Sequence, residues 1–217
     1  MKKILAITGV LCVFLVGFLI FDNKEEKSAN SDEQFDNGMA DHLFDGNLIL
    51  DAKMDEFPDL NTVESQTDII VIGKKVKQEE PTIKYSQEGR IDIAYTLSNF
   101  SIEKVISGNS VTPGTEITIL ENEAYNEKED VTYNIAGYEL MKTDNEYLLF
   151  LRQSETDPYY LVTGVNYGKV PLQDETSVLK NSLQKAKSDY AKEVLSRMAQ
   201  QDSIREEALK KYASSLE

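Results

Sequence analysis

The stretch "RIDIAYTLSNFSIEKVISGN" (residues 90–109) decides the fold. Ile91, Ile93, Tyr95 and Leu97 recur at every second position and share one face, the period of a strand. Phe100, Ile102 and Ile106 continue on the other parity. A phase slip near Ser98 and Asn99 is what an extra bulge residue produces, and bulges bend strands as small barrels require.

The flanking segments supply partners for this strand. "TDIIVIGKKVK" (67–77) is a β-branched run in which Gly73 marks a bulge or a close backbone approach. "VTPGTEITILE" (111–121) adds a Pro-Gly turn and a strand with Ile117 and Ile119 facing alike. "EYLLFLR" (146–152) and "YYLVTGVNYGKV" (159–170), joined around Asp157 and Pro158, complete about five strands. Before them, "MDEFPDLNTVESQ" (54–66) predicts a short helix starting near Pro58 or Asp59, with Leu60 and Val63 inward.

From Gln173 the period changes. Leu179, Leu183, Ala186, Tyr190, Val194 and Met198 recur at three or four residues, the stripe of an amphipathic helix. Asp174 is its candidate cap, and Ser203 with Glu206 forms a second start signal that places a break near Asp202. The stripe docks on the chain's own barrel or on another chain.

In order, "TDIIVIGKKVK", "NFSIEKVISGN", "GTEITILENEAY" and "GYELMKTDNEYLLFL" resemble the core of uncharacterised membrane-anchored surface proteins of Gram-positive bacteria. More distantly that core is similar to netrin-like domains such as those of metalloproteinase inhibitors. The resemblance covers about residues 55 to 170 and implies a five-stranded OB-like barrel, which the strand count and the phase slip also allow. The animal inhibitors reach a metal through an N-terminal cysteine and disulfides. Residues 22–217 contain no cysteine, so protease inhibition does not carry over.

The beginning of the chain sets the expected address. Lys2 and Lys3 precede 18 uncharged residues, Ile4 to Phe21, enough to span a bilayer as a helix. No A-x-A-like cleavage site follows; the best, Lys27-Ser28-Ala29, is late and carries a lysine at its key position. Cys12 lies mid-run after Gly9-Val10-Leu11, which does not fit a lipid attachment site, and reads as a small apolar helix residue. Basic residues before the run and acidic ones after it predict an uncleaved anchor with a cytoplasmic N-terminus and an outward-facing remainder. The alternative is a secreted protein that begins near Ala29 or Asn30.

The expected architecture is thus mainly β with α. Residues 1–21 form a signal-anchor transmembrane helix, and 22–53 an acidic flexible stalk. Residues 54–171 form the OB-like barrel, and 172–217 a C-terminal amphipathic helix or helix pair. Residues 22–68 alone hold 14 acids against 3 bases, and the whole chain carries a net charge of −15. Such a surface repels phosphate backbones, which argues against nucleic acid.

Catalytic and metal chemistry find few residues. The one histidine is His42, within the expected stalk, and the one cysteine is in the anchor. Triads, Cys-His pairs and multi-histidine zinc sites are thereby excluded. "DHLFDG" (41–46) echoes the start of a calcium loop, but Leu43 and Ala52 stand where ligands belong. S-x-x-K occurs three times, as Ser101–Lys104, Ser177–Lys180 and Ser182–Lys185, without the elements that complete a penicillin-recognising site. No catalytic, cofactor or metal residue is assigned, and no cofactor is expected.

Seven of the 11 tyrosines fall between residues 125 and 167. Tyrosine is an ordinary strand residue, and it also enriches recognition surfaces. If the chain has a binding patch, Tyr133, Tyr138, Tyr159 and Tyr160 are the candidates, with "VTYNIAGYELM" (131–141) a loop-rich stretch between strands. The expected function is a non-catalytic, membrane-anchored extracytoplasmic binding or protein-interaction module, with a protein partner at the cell surface. Two alternatives are a surface-polymer-acting enzyme using carboxylates or a Ser-Lys pair, and an accessory subunit that joins a membrane complex through its C-terminal helix.

Overall fold

A computed structural model describes residues 42–51 and 57–216. Eleven strands and four helices lie within them. The strands are β1 (Leu43–Phe44), β2 (Asn47–Leu50), β3 (Ile69–Gln78), β4 (Thr82–Tyr85), β5 (Ile91–Ser107), β6 (Glu116–Glu121), β7 (Glu123–Asn126), β8 (Val131–Ile135), β9 (Glu146–Gln153), β10 (Tyr160–Val162) and β11 (Lys169–Pro171). The helices are α1 (Leu60–Ser65), α2 (Val178–Ala186), α3 (Asp189–Lys211) and α4 (Ala213–Leu216).

Five strands close a barrel. β3 pairs antiparallel with β5 and β9, β5 with β6, and β9 with β10. The ring is completed by a parallel pairing of β10 with β6, through Tyr160↔Ile119 and Leu161↔Leu120. A closed five-stranded barrel of this kind is consistent with an OB-like fold. β11 extends β9 at the edge, β4 pairs with the first half of β5, and a second sheet runs β1-β2-β8-β7.

The long strand differs from its sequence reading. Ala94, Thr96, Ser98, Phe100 and Ile102 are all buried, so one parity faces inward without a slip at Ser98–Asn99. The face that Ile91, Ile93, Tyr95 and Leu97 share is the half-exposed one. The inner face takes small polar side chains because they bond inside the barrel: Thr96 donates to the Glu123 carbonyl at 2.7 Å, and Ser98 to Glu121. Register shifts do occur, between Ile70 and Val71, Ile72 and Gly73, and Lys75 and Lys77 of β3. They leave Ile106 and Glu103 over on β5 and Val76 over on β3, and supply the curvature that closure needs.

Residues 42–51 are not a free stalk. β1 and β2 form a hairpin, and β2 joins β8 in parallel over Asn47↔Thr132 to Leu50↔Ile135. Asp45 and Gly46, with φ of 53° and 79°, make the two-residue turn, a type I′ signature. From Leu43 on, the candidate calcium-loop stretch is therefore a hairpin, and among the described residues no group of three or more potential ligands is placed to hold a metal. The expected anchor (with Cys12) and the stalk up to residue 41 lie outside the described residues. Among the described ones, no helix is long and apolar enough to cross a membrane.

The helices pack on the outward face of β3 and β9, through Ile70, Ile72, Leu148 and Phe150, and on the β1–β2 hairpin, through Phe44 and Ile49. Asp59 caps α1 by accepting from Thr62 N at 2.8 Å, and Leu60 and Val63 are buried, as expected. The C-terminal segment forms two main helices, but the caps differ from the sequence reading. Ser177, not Asp174, caps α2, which ends at left-handed Lys187; Ser188 caps α3, which runs unbroken through Asp202 and Ser203. Ile204 and Ala208 of α3 pack with Phe57, Val63, Ile70, Phe150 and Val170, while Val194 and Met198 pack with Leu179, Leu183 and Ile49. The chain's own core thus takes up Leu179, Leu183, Val194 and Met198 of the stripe, while Ala186 is exposed.

Candidate functional site

The barrel interior and its edge hold charged side chains where an apolar core is the default. Lys75 of β3 and Glu121 of β6 are both 0 % exposed and meet at 2.8 Å. The Lys75 ammonium also donates to Gln78 Oε1 at 2.9 Å and the Met141 carbonyl at 2.8 Å, which uses all three of its N–H bonds. Glu121 accepts from Ser98 Oγ, Tyr138 Oη and Met141 N as well. This pair is saturated, and it fixes the loop after β8 to the barrel.

That loop builds the site. Ala136 and Gly137, with φ of 53° and 75°, turn the chain sharply, and Tyr138 N closes the turn on the Ile135 carbonyl at 3.0 Å. The turn drives Tyr138 into the core and sends Glu139 toward α2. There Glu139 Oε1 accepts from Val178 N at 3.0 Å and Leu179 N at 3.2 Å, satisfying N–H groups of the first helical turn. Opposite, Lys169 at the start of β11 donates to the Glu139 carbonyl and lies 3.8 Å above the Tyr138 ring.

Between these elements and α3 is a cavity of about 130 Å³. Its walls include Glu139, Asn166, Lys169, Glu175, Gln201 and Arg205, with Lys180, Asp202 and Ser177 alongside. Lys180 bonds Asp202 at 2.8 Å, and Arg205 Nη1 bonds Asp202 at 2.9 Å, so α2 and α3 are tied across it. Arg205 Nε also donates to the Lys169 carbonyl at 3.0 Å. Glu175 is held by Asn145 Nδ2 at 2.7 Å and by the Tyr147 hydroxyl.

Three buried walls have bonding capacity left over. Gln201 is 2 % exposed and its amide makes no hydrogen bond among the described residues. Asn166, equally buried, uses only its N–H₂, toward the Ala136 carbonyl at 3.3 Å. Lys169, 5 % exposed, has one hydrogen-bond acceptor for three N–H bonds. The buried side-chain atoms with no hydrogen-bond partner among the described residues lie elsewhere, Asn134 Oδ1 and Arg197 Nε and Nη2, so the spare atoms of these cavity residues are not sealed in the core but open onto the cavity. Their convergence on one cavity marks a place where a polar guest completes them.

Burial also sets the protonation of this region. It pushes the Lys169 ammonium down to about 8, against the pull of Glu121. It pushes the Glu123 carboxyl up to about 7, opposed by the Leu140 N–H and by Lys169. Glu123 accepts from Asn134 Nδ2 at 3.0 Å and Leu140 N at 3.1 Å, beside the saturated pair. Because its folded pKa lies above 4.5, the stability it contributes is fully present below about 4.5 and lost as pH rises through about 7. For Lys169 the folded value lies below 10.5, so its contribution is present above that and lost as pH falls through about 8. Glu123→Gln removes the first effect. Its stability relative to the parent is expected to rise by roughly 2–3 kcal/mol between pH 4.5 and 7.5, measured by urea unfolding; a difference that stays flat would refute it.

The four candidate tyrosines are not one patch. Tyr138 is fully buried, its phenol held well above the ordinary range by burial and by Glu121. Tyr133 is 2 % exposed, belongs to a different cluster with Ala94 and Ala124, and bonds Glu129. Tyr159 bonds Asp157 on a turn, and Tyr160 packs at the rim of the barrel core with its hydroxyl near Ser110. "VTYNIAGYELM" is half strand, because Val131–Ile135 is β8. An open groove beside it, lined by Tyr85, Tyr125 and Glu129, has its phenols bonded to Glu129 and Asp130.

In the three S-x-x-K pairs the side-chain hydrogen bonds run to partners other than the paired side chain. Ser177 Oγ accepts from Lys180 N as a helix cap while the Lys180 ammonium goes to Asp202. Ser182 bonds Asp45 and the Val178 carbonyl, and Lys104 the Ser215 carbonyl. The cavity residues were missed by the sequence reading, although a signal existed: Lys75, Glu121 and Lys169 are charges inside apolar strand runs. No protein-family model matches the chain, and a search of curated proteins finds no match.

Proposed function

We propose that the chain is a non-catalytic binding module, held at the outer face of a membrane by residues 4–21, with the polar cavity as its ligand site. The observation that carries the binding part is the convergence of Asn166, Lys169 and Gln201, all buried and all incompletely bonded, on one cavity. Its walls are preorganised: Glu139, Glu175, Lys180 and Arg205 are each fixed by protein partners, so binding a guest costs little ordering. No serine or carboxylate there is paired to a base as a nucleophile requires.

The uncharged run and its flanking charges support the address. The likeness of the strand motifs to membrane-anchored surface proteins of Gram-positive bacteria agrees with it. The test is amide chemical-shift mapping of the full-length chain against a panel of small polar solutes. Saturable shifts at Gly137, Asn166, Lys169 and Gln201 are expected. A panel in which no solute moves these four would overturn the proposal.

A further inference from the structure

We propose that the cavity binds a small zwitterion, a free α-amino acid of the size of glycine, alanine or serine. This rests on the cavity being the ligand site. Size comes first: a volume of about 130 Å³ is close to that of an engineered cavity of about 150 Å³ that takes benzene, so about six heavy atoms fit.

Charge comes second. The walls carry three cations, Lys169, Lys180 and Arg205, and three carboxylates, Glu139, Glu175 and Asp202. Lys180 and Asp202 neutralise each other at 2.8 Å, and Asp202 gives its other oxygen to Arg205. What remains unfilled is split by sign. On one side, Lys169 has N–H bonds to spare, and Arg205 has Nη2 free while its Nε binds the Lys169 carbonyl. On the other, Glu139 and Glu175 each engage only Oε1, which leaves both Oε2 atoms available. Gln201 can donate and accept, and Asn166 Oδ1 can accept.

A simple anion would meet Lys169 and Arg205 but also the unneutralised oxygens of Glu139 and Glu175. A simple cation would meet the reverse. A neutral polyol would satisfy hydrogen bonds and leave the buried Lys169 ammonium and the half-buried Glu139 and Glu175 carboxylates without an ionic partner from the guest. A molecule with carboxylate and ammonium two bonds apart matches both sides at once: its carboxylate faces Lys169 and Arg205, its ammonium faces Glu139 and Glu175, and the Gln201 amide bridges them.

The experiment titrates the full-length chain with L-alanine and, separately, with acetate, methylammonium and glycerol, followed by calorimetry and by the amide shifts of Asn166 and Gln201. L-alanine is expected to bind at least about tenfold more tightly than any of the other three, since each lost charged contact is worth about that factor. Glu175→Gln should bring alanine down to the level of acetate and leave acetate itself unweakened. Gln201→Leu, which fills the cavity, should abolish both, with unchanged circular dichroism as the check on folding. Equal affinity for alanine and acetate, or for alanine and glycerol, would overturn the zwitterion and leave the binding module standing. If none of the four solutes moves Asn166 or Gln201, the cavity holds water alone, and this inference fails together with the reading beneath it.

Discussion

Glu121→Ala is expected to cost about 4–5 kcal/mol of folding stability, a large part of what a domain of this size has. The carboxylate is 0 % exposed and accepts from Lys75 Nζ, Ser98 Oγ, Tyr138 Oη and Met141 N. Truncation strands a buried ammonium and removes the acceptor from three further donors. Lys75→Met is expected to cost less, by about 2 kcal/mol, because Glu121 then keeps three donors around its charge. Urea unfolding of the full-length chain, followed by far-UV circular dichroism, measures both. Equal losses, or a loss below about 1 kcal/mol for Glu121→Ala, would show that the pair is solvated and does not tie the loop to the barrel.

The ion pair also shows why some of the fold was legible and most of the site was not. β3, β6 and β9 are rich in β-branched and other large apolar residues, and α1 has its Asp59 cap and the Leu60–Val63 spacing, so local chemistry and tertiary demand agree there. In β5 they diverge. The large apolar residues Ile91, Ile93 and Leu97 lie outward, while Ala94, Thr96 and Ser98 lie inward, since a small barrel needs slender side chains and Glu121 needs a hydroxyl. Alternation alone names two faces; which of them is buried depends on what sits across the barrel.

The hairpin at Asp45–Gly46 and the caps Ser177 and Ser188 were readable from local chemistry but lost to competing patterns, an acidic flexible stalk and the Asp174 and Ser203 signals. Of the cavity only Lys169, a charge inside an apolar strand run, left a mark in the sequence. Lys169, Gln201 and Glu139 come from a strand, a helix and a loop, and only the packing of α3 on β11 brings them to one wall. The tyrosines between residues 125 and 167 include phenols that bond carboxylates, Tyr138 the buried Glu121 and Tyr147 the half-buried Glu175.

Gly73→Ala is expected to lower stability by about 3 kcal/mol or more, through the backbone of the neighbouring strand. A Cβ at this position would stand 2.0 Å from the Ser101 carbonyl oxygen and 2.9 Å from the Phe100 ring. The first of these is main chain and cannot turn aside as a side chain can. β5 must therefore move away from β3, where the register shift between Ile72 and Gly73 already concentrates the barrel's bend. Gly114→Ala is the control: it has positive φ but nothing within 4 Å, so only the conformational cost of about 1 kcal/mol applies. Thermal and urea unfolding of the two variants should separate them clearly, and equal losses would mean that the close approach at Gly73 is not maintained in solution. The two large effects should also couple. Gly73 lies two residues from Lys75, and displacing β5 shifts Ser98 on the same strand away from Glu121. Gly73→Ala combined with Glu121→Ala should then cost about 1 kcal/mol or more less than the two single losses added. Strict additivity would instead mean that the strand crossing and the buried ion pair hold the barrel closed independently.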